Sequence, residues 1–316
     1  MRTRLTIVPR FALVVVLVAL IGGLNLAPSF AGTTFASVQD PASCAELVRA
    51  TVANEVAANN DSAKHMFRSR KQTPQGSQTR LYVETRDAVA GMTIATNDKP
   101  LGPNELQNEE GRLAALAENP EQLRHKHSQE QENAERSLRI VKALPDAFLY
   151  RYDGEEIGDD FEGSPGRKLV RLKFRPNPAY QPPTHAEQVL VGMNGFLVID
   201  PVARRIAKID GTLFKEVSFG WGILGHLDKG GHFLVEQRDV GAGCWELSRM
   251  SLNFTGKILM FKNLAIRSDE VFNDFRRVPD GTTFAQGIEM LKAEEVKLAQ
   301  NRGSETMNPD NKSPSH

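Results

Sequence analysis

The sequence predicts an α+β protein: a strongly curved antiparallel sheet, a half-open β-barrel in outline, with helices against its concave face. Three observations carry this prediction. Gly195 to Val278 reads as consecutive strands with short polar turns between them, the pattern of antiparallel neighbours. Lys168 to Arg175 alternates, with Val170, Leu172 and Phe174 on one side and Arg171, Lys173 and Arg175 on the other, which is the period of two of a half-buried strand. Helical spacing is concentrated near the N-terminus, in the polar stretch 104–143 and near the C-terminus. A sheet of many strands has to curl, and its apolar face has to be covered by a second layer.

The first residues bear on compartment. Arg2, Arg4 and Arg10 accompany an apolar run from Phe11 to Leu26, and Ser29 and Ala31 are small residues at cleavage-site spacing. This predicts a secretory signal peptide over 1–31 and an exported protein, periplasmic where an outer membrane exists. The first cysteine, Cys44, stands too far beyond the apolar run to carry a lipoprotein anchor. The 316 residues hold 39 basic and 39 acidic side chains. Loss of the three arginines with the signal leaves a formal charge of minus three, which is no nucleic-acid footprint. Cys44 and Cys244 are the two cysteines. Outside the cytoplasm they either form a disulfide closing a very long loop or remain two separate thiols.

Residues 32–278 are expected to form one curved-sheet domain with a helical insertion at 104–143. A helix is expected from about Cys44 to Ala58, with Ser43 as its cap and Glu46 completing a capping box. A hairpin follows, with arms Ala63–Thr73 and Gln78–Ala88 around a turn at Pro74 to Ser77. Gly91 to Thr96 extends that ladder. Leu113, Leu116, Ala117, Leu123, Ala134, Leu138 and Val141 recur at helical spacing, which predicts two helices, 105–118 and 120–143, the second opened by Pro120. Leu144-Pro145 ends the helical region, and Ala147 to Asp153 is an aromatic strand. Glu155 to Pro165 is an acidic, glycine-bearing loop. Asn177 to Thr184 has three prolines and is no central strand, and His185 to Val191 leads into the meander as a short helix. Beyond Asp280-Gly281, residues 279–298 are assigned a C-terminal helix and 299–316 a disordered polar tail.

Apolar residues of the sheet are the candidates for lining a ligand cavity on the concave side. They are Phe148, Phe174, Phe196, Phe214 and Phe219, then Trp221 and Leu224 in the glycine-rich loop, and Phe233, Trp245, Met250 and Phe254 in the later strands. The alternative is that the same residues form a solid core.

The order of signal segment, N-terminal helix, early hairpin, helical insertion and meander resembles the periplasmic lipoprotein-carrier and lipoprotein-receptor superfamily. The resemblance rests on that order and on Gly195-Phe196-Leu197-Val198-Ile199-Asp200, followed by Arg204-Arg205-Ile206 and Asp210-Gly211. It implies a half-open sheet that shelters acyl chains around helices in its concave face. The implied partners are a lipid or a lipidated protein, with peripheral membrane contact.

Enzymatic signals are weak, and the expectation is a protein that is not an enzyme and needs no cofactor or metal. His125 and His127 are two apart, a poor spacing for a helical metal pair. Glu155, Glu156, Asp159, Asp160 and Glu162 supply oxygens but not the spacing of a calcium loop. No glycine-flanked serine elbow and no phosphate loop occur. The basic stripe Arg171, Lys173 and Arg175, with Arg204, Arg205 and Lys208, is either an exposed sheet face or a contact for anionic headgroups. The leading reading is an exported lipid or lipoprotein carrier. One alternative is an envelope module that binds a protein partner. Another is a hydrolase with a site near His226 and His232, drawing on Asp228, Glu236 and Glu246.

Overall fold

The computed structural model describes residues 40–59, 63–219, 224–258 and 262–307. The expected signal segment, the loop residue Trp221 and the end of the expected tail lie outside the described residues. After helix α1 (Pro41–Ala58) come strands β1 (Lys64–Thr73), β2 (Gly76–Glu84), β3 (Val89–Thr96) and β4 (Lys99–Pro100). Helices α2 (Pro103–Ala117) and α3 (Pro120–Ala147) lead to β5 (Phe148–Ile157), β6 (Lys168–Pro176) and a 3-10 helix at Glu187–Gly192. Then follow β7 (Met193–Asp200), β8 (Arg205–Leu213), β9 (Val217–Phe219) and β10 (Gly225–Leu227). Strands β11 (His232–Asp239), β12 (Trp245–Ile258) and β13 (Lys262–Val278) precede α4 (Phe284–Met307).

The expected class is borne out: an α+β chain with a wide antiparallel sheet whose ladder does not close. The strand order is β4-β3-β2-β1-β13-β12-β11-β8-β7-β6-β5, with β10 on β12 and β9 on β10. The described residues group into two compact units.

The first unit contains 129–272 together with α1. Strands β5 to β8 form its end of the ladder, and α1 packs against both β5 and β8. Cys44 near the start of α1 meets Tyr152 on β5, and Glu55 near its end meets β8, so the helix runs across these four strands. The helix contributes the buried side chains Leu47, Val48 and Val52, and Leu172, Leu197 and Ile199 are buried on the strands. One charged group is buried with them. Glu55 Oε1 accepts from Arg205 Nε at 2.9 Å and from the Ile206 amide at 2.7 Å, so α1 is tied to β8 by charge-assisted bonds as well as by apolar contact.

The second unit contains 76–128 and 273–307, with 63–70. Its core joins Met66, Leu81, Val83, Met92 and Ile94 of the strands to Leu113 of α2 and to Phe284, Ile288 and Leu291 of α4. The spacing 284, 288, 291 puts those three on one helical face. A capping box starts α4: Thr283 Oγ1 accepts from the Gln286 amide at 3.2 Å, and Gln286 Oε1 accepts from the Thr283 amide at 2.9 Å. Helix and strands approach so closely at Gly287 that a Cβ there would lie 2.7 Å from Thr85 Cγ2.

Four local expectations are corrected. Helix α1 starts at Pro41 and is capped by Asp40, not Ser43, because proline is pre-organised for the first helical position and has no amide to satisfy. Helix α3 runs through Pro145 to Ala147 rather than ending before the proline, with Ala143, Leu144 and Ala147 buried. Helix α4 extends to Met307, so the first part of the expected disordered tail is helical. The disulfide is not formed. Cys44 and Cys244 are not joined to each other. Cys44 is buried on α1, and its thiol, raised in pKa by burial, is hydrogen-bonded to the backbone of Tyr152 on β5. Cys244 immediately precedes β12, with β11, β8, β7 and β6 between the two strands.

Candidate functional site

The site develops where the first unit's ladder ends, at β5. The pairing of β5 with β6 sets Tyr150 opposite Phe174 and Phe148 opposite Pro176. Side chains of one parity on neighbouring strands share a face, so three aromatic rings come together. The Phe148 and Phe174 centroids are 4.4 Å apart, and Tyr150 stands 6.4 Å from Phe148 and 6.5 Å from Phe174. The buried Tyr150 hydroxyl donates to the Leu144 carbonyl at 2.8 Å. Burial, and next the Asp146 carboxylate, raise its pKa well above the usual phenol value, so the ring stays neutral.

These rings border a groove of about 730 Å³, within the range of roughly 300–1,000 Å³ common for small-molecule sites. Pro41 and Ala45 of α1 and Pro145 of α3 form its helical wall, and Leu149 adds apolar surface from β5. Four cationic side chains, Arg49, Arg151, Lys173 and Arg175, also line it, against the single carboxylate Asp146. Arg49 reaches Asp146 at 3.8 Å. Among the described residues, Arg151, Lys173 and Arg175 have no ion-pair partner. Arg175, Asn177 and Asn194 are shared with a second groove of about 550 Å³, walled by Tyr180, Val191, Phe214 and Lys215. Asn177 is fixed between them. Its side-chain amide donates to the Asp146 carbonyl and its backbone amide to the Ala147 carbonyl, both at 2.9 Å. The proline-rich link therefore serves as a wall.

The cavity-lining candidates separate into groups. Phe148 and Phe174 line the first groove and Phe214, 40% exposed, the second. Phe148 and Phe174 are themselves buried, as are Phe233, Trp245, Met250 and Phe254, which line neither groove. Trp245 belongs to a small cluster with Leu169, Val198 and Ala207. Phe196 pairs with Lys173, so it faces away from Phe174 and lies under the Arg171 guanidinium, 4.8 Å from the ring centre. Phe219 and Leu224 flank the β9–β10 connection, and Trp221 falls outside the described residues. Arg49, Arg151 and Asn194 were not expected at the site. Lys173 and Arg175 were visible as a basic stripe, but period-two alternation does not show that the stripe lies at the end of the sheet.

Alternation puts Lys173 and Arg175 on the face of β6 opposite Phe174, so the groove takes in both faces at the β5 edge, and the cationic face also receives the acidic loop. The acidic β5–β6 connection folds across the sheet: the Gly163 amide donates to the Gln237 carbonyl at 2.8 Å, and the Asp239 amide to the Gly163 carbonyl at 3.0 Å. Beneath it, Lys208 Nζ contacts Glu162 and lies 3.0 Å from Glu156 Oε2. Arg171 binds Glu156 at 3.0 Å and also Asp153. Burial, opposed by Lys208 and reinforced by Glu156, raises the Glu162 carboxyl to about 7. These acids are matched to cations of the sheet rather than arrayed for calcium.

The histidines do not converge. His226 is opposite Lys257 and His232 opposite Asn253 on β12, four residues apart and so roughly 13 Å along the strand. His232 Nε2 meets Asp210 Oδ1 at 2.8 Å. Glu246 is buried beside Trp245 in sequence, opposite Arg238.

No family model matches the chain, and no curated protein does. Among solved structures, it is similar to a crystal structure of a DUF1329 family protein from Desulfovibrio piger, at 9% identity and a TM-score of 0.24, over 80% of this chain and 99% of that one. No helix among the described residues is long and apolar enough to cross a membrane.

Proposed function

We propose that the protein is an exported binding protein or carrier for an anionic amphiphile, either a free lipid or the acyl group of a lipidated polypeptide. The observation that carries this reading is a groove at the edge strand β5 that combines exposed Leu149 with Arg151, Lys173 and Arg175, cations without carboxylate partners among the described residues. The apolar surface of Leu149, with Pro41, Ala45 and Pro145 around it, takes a hydrocarbon chain, at about 0.8 kcal/mol for each CH2 removed from water. The basic side chains hold a carboxylate or phosphate headgroup and keep the chain in one orientation. No bond is made or broken. Strand β5 ends the ladder, so the groove lies beside an edge to which an extended polypeptide can add as a further strand.

The test is native mass spectrometry of gently purified protein, with organic extraction of whatever it retains. The expected result is a substoichiometric anionic lipid or fatty acid, retained by the wild type and missing from a Lys173→Glu, Arg175→Glu variant that remains folded. Retention of the same material by both proteins, or of none by either after incubation with fatty acid, overturns the reading.

A further inference from the structure

The β9–β10 hairpin brings together three side chains that the amphiphile groove does not use. His226 pairs with Ser218 and Leu227 with Val217, so the next antiparallel pair is Asp228 with Glu216. His226 and Asp228 are two apart and share a face of the strand. The result is one imidazole and two carboxylates whose ligand atoms all lie within 4.8 Å of one another. His226 Nε2 is 3.3 Å from Asp228 Oδ1.

Two independent features make this trio more than a chance surface group. First, Glu216 and Asp228 are like charges that repel, yet their ligand oxygens lie within 4.8 Å of each other. Lys257, which stands opposite His226 on β12, makes no ion pair with either acid among the described residues. Second, the hairpin is held at close range. A Cβ on Gly256 would lie 2.1 Å from the His226 carbonyl oxygen, and one on Gly225 would lie 2.2 Å from the Lys257 carbonyl oxygen. The Asp228 amide also donates to the Thr255 carbonyl at 2.9 Å. The backbone bearing two of the three ligands is therefore fixed against β12 before any ion arrives.

We propose that Glu216, His226 and Asp228 bind a divalent transition-metal ion, zinc by preference. Imidazole nitrogen with carboxylate oxygen is a donor set that suits zinc and its first-row neighbours, whereas calcium and magnesium favour oxygen alone. Ligand atoms about 2.0–2.2 Å from a tetrahedral zinc stand close enough together to fit this spacing. Ser218 supports the site by donating from Oγ to Glu216 Oε1 at 3.2 Å, the type of outer contact that orients a ligand carboxylate. Glu216 is exposed, and His226 and Asp228 are partly exposed, so the ion enters from solvent and keeps a position for water or for a donor from a partner.

The experiment is zinc titration of the untagged full chain by calorimetry, with cobalt absorption as a second readout. The same titrations are made on His226→Ala, Asp228→Asn and Ser218→Ala, with circular dichroism checking each fold. One zinc per chain is expected, with at least about tenfold weaker binding in His226→Ala and Asp228→Asn, and a loss of about tenfold in Ser218→Ala. Cobalt in the wild type is expected to give visible absorption that His226→Ala lacks. Equal zinc affinity in wild type and folded His226→Ala overturns the proposal, since it places the ion on other histidines. Absence of zinc binding overturns it too.

Discussion

Two helix-covered stretches of the sheet use the same device and end differently. In the second unit, α4 lays Phe284, Ile288 and Leu291 along a strand surface of Leu81, Val83 and Met92, and the contact is a solid core. In the first, α1 presents Leu47, Val48 and Val52, but its first turns offer Pro41 and Ala45, and a groove remains beside Phe148 and Phe174. The size of the residues in the first two turns accounts for the difference. Large branched and aromatic groups close a helix onto a sheet; proline and alanine leave space at its end. A buried charge further distinguishes α1, because Glu55 fixes its far end to β8 while the Pro41 end borders the groove.

The largest effect is expected where packing is closest. Phe284→Ala removes a buried ring from the second unit and should cost about 3–5 kcal/mol, read as a lower urea midpoint with faster amide exchange in β2 and β3. Little change would mean that α4 is not integral to that core. Next is Glu55→Ala, which leaves the nearly buried Arg205 and the Ile206 amide without their acceptor. A cost of about 3 kcal/mol is expected, with weaker amphiphile binding as α1 loosens; a change below about 1 kcal/mol would show that apolar contact alone holds the helix.

A smaller effect separates the acidic loop from the groove by pH. Glu162 titrates near 7 in the folded protein against an ordinary value of 4.5, so the native state binds more protons between those pH values. Its contribution is fully present below about pH 4.5 and is lost as pH rises through about 7. After discounting for solvent screening, this amounts to about 1–2 kcal/mol. Glu162→Gln should flatten that part of the stability profile while leaving groove binding intact. An unchanged slope would take the titration away from Glu162. The smallest effect on stability, within about 0.5 kcal/mol, is expected from Lys173→Glu with Arg175→Glu, because these side chains have no ion-pair partner to lose.

Much of the sheet was legible because alternation is a local property. Lys168 to Arg175 follows directly from residue pattern and is in place. The groove was only half legible. Phe148 and Phe174 declare themselves as apolar strand residues, but whether such a residue faces a groove or the interior depends on which strand ends the ladder, and local pattern is silent on that. Phe233, Trp245, Met250 and Phe254 carry the same signal and are equally buried, but away from the β5 edge. The acidic loop misled in the opposite direction. Its charges suggested solvent, whereas Lys208, from a strand distant in sequence, draws Glu156 and Glu162 onto the sheet. Glu55 was hidden for a related reason, since its partner Arg205 lies far along the chain.

The most direct test of the amphiphile groove is titration of the purified protein with a fluorescent fatty acid, followed by displacement with unlabelled fatty acid. Saturable binding to one site per chain is expected, weakened at least about tenfold by Lys173→Glu with Arg175→Glu and by Phe174→Asp. Non-saturable binding, or equal affinity in the wild type and both folded variants, would contradict the account.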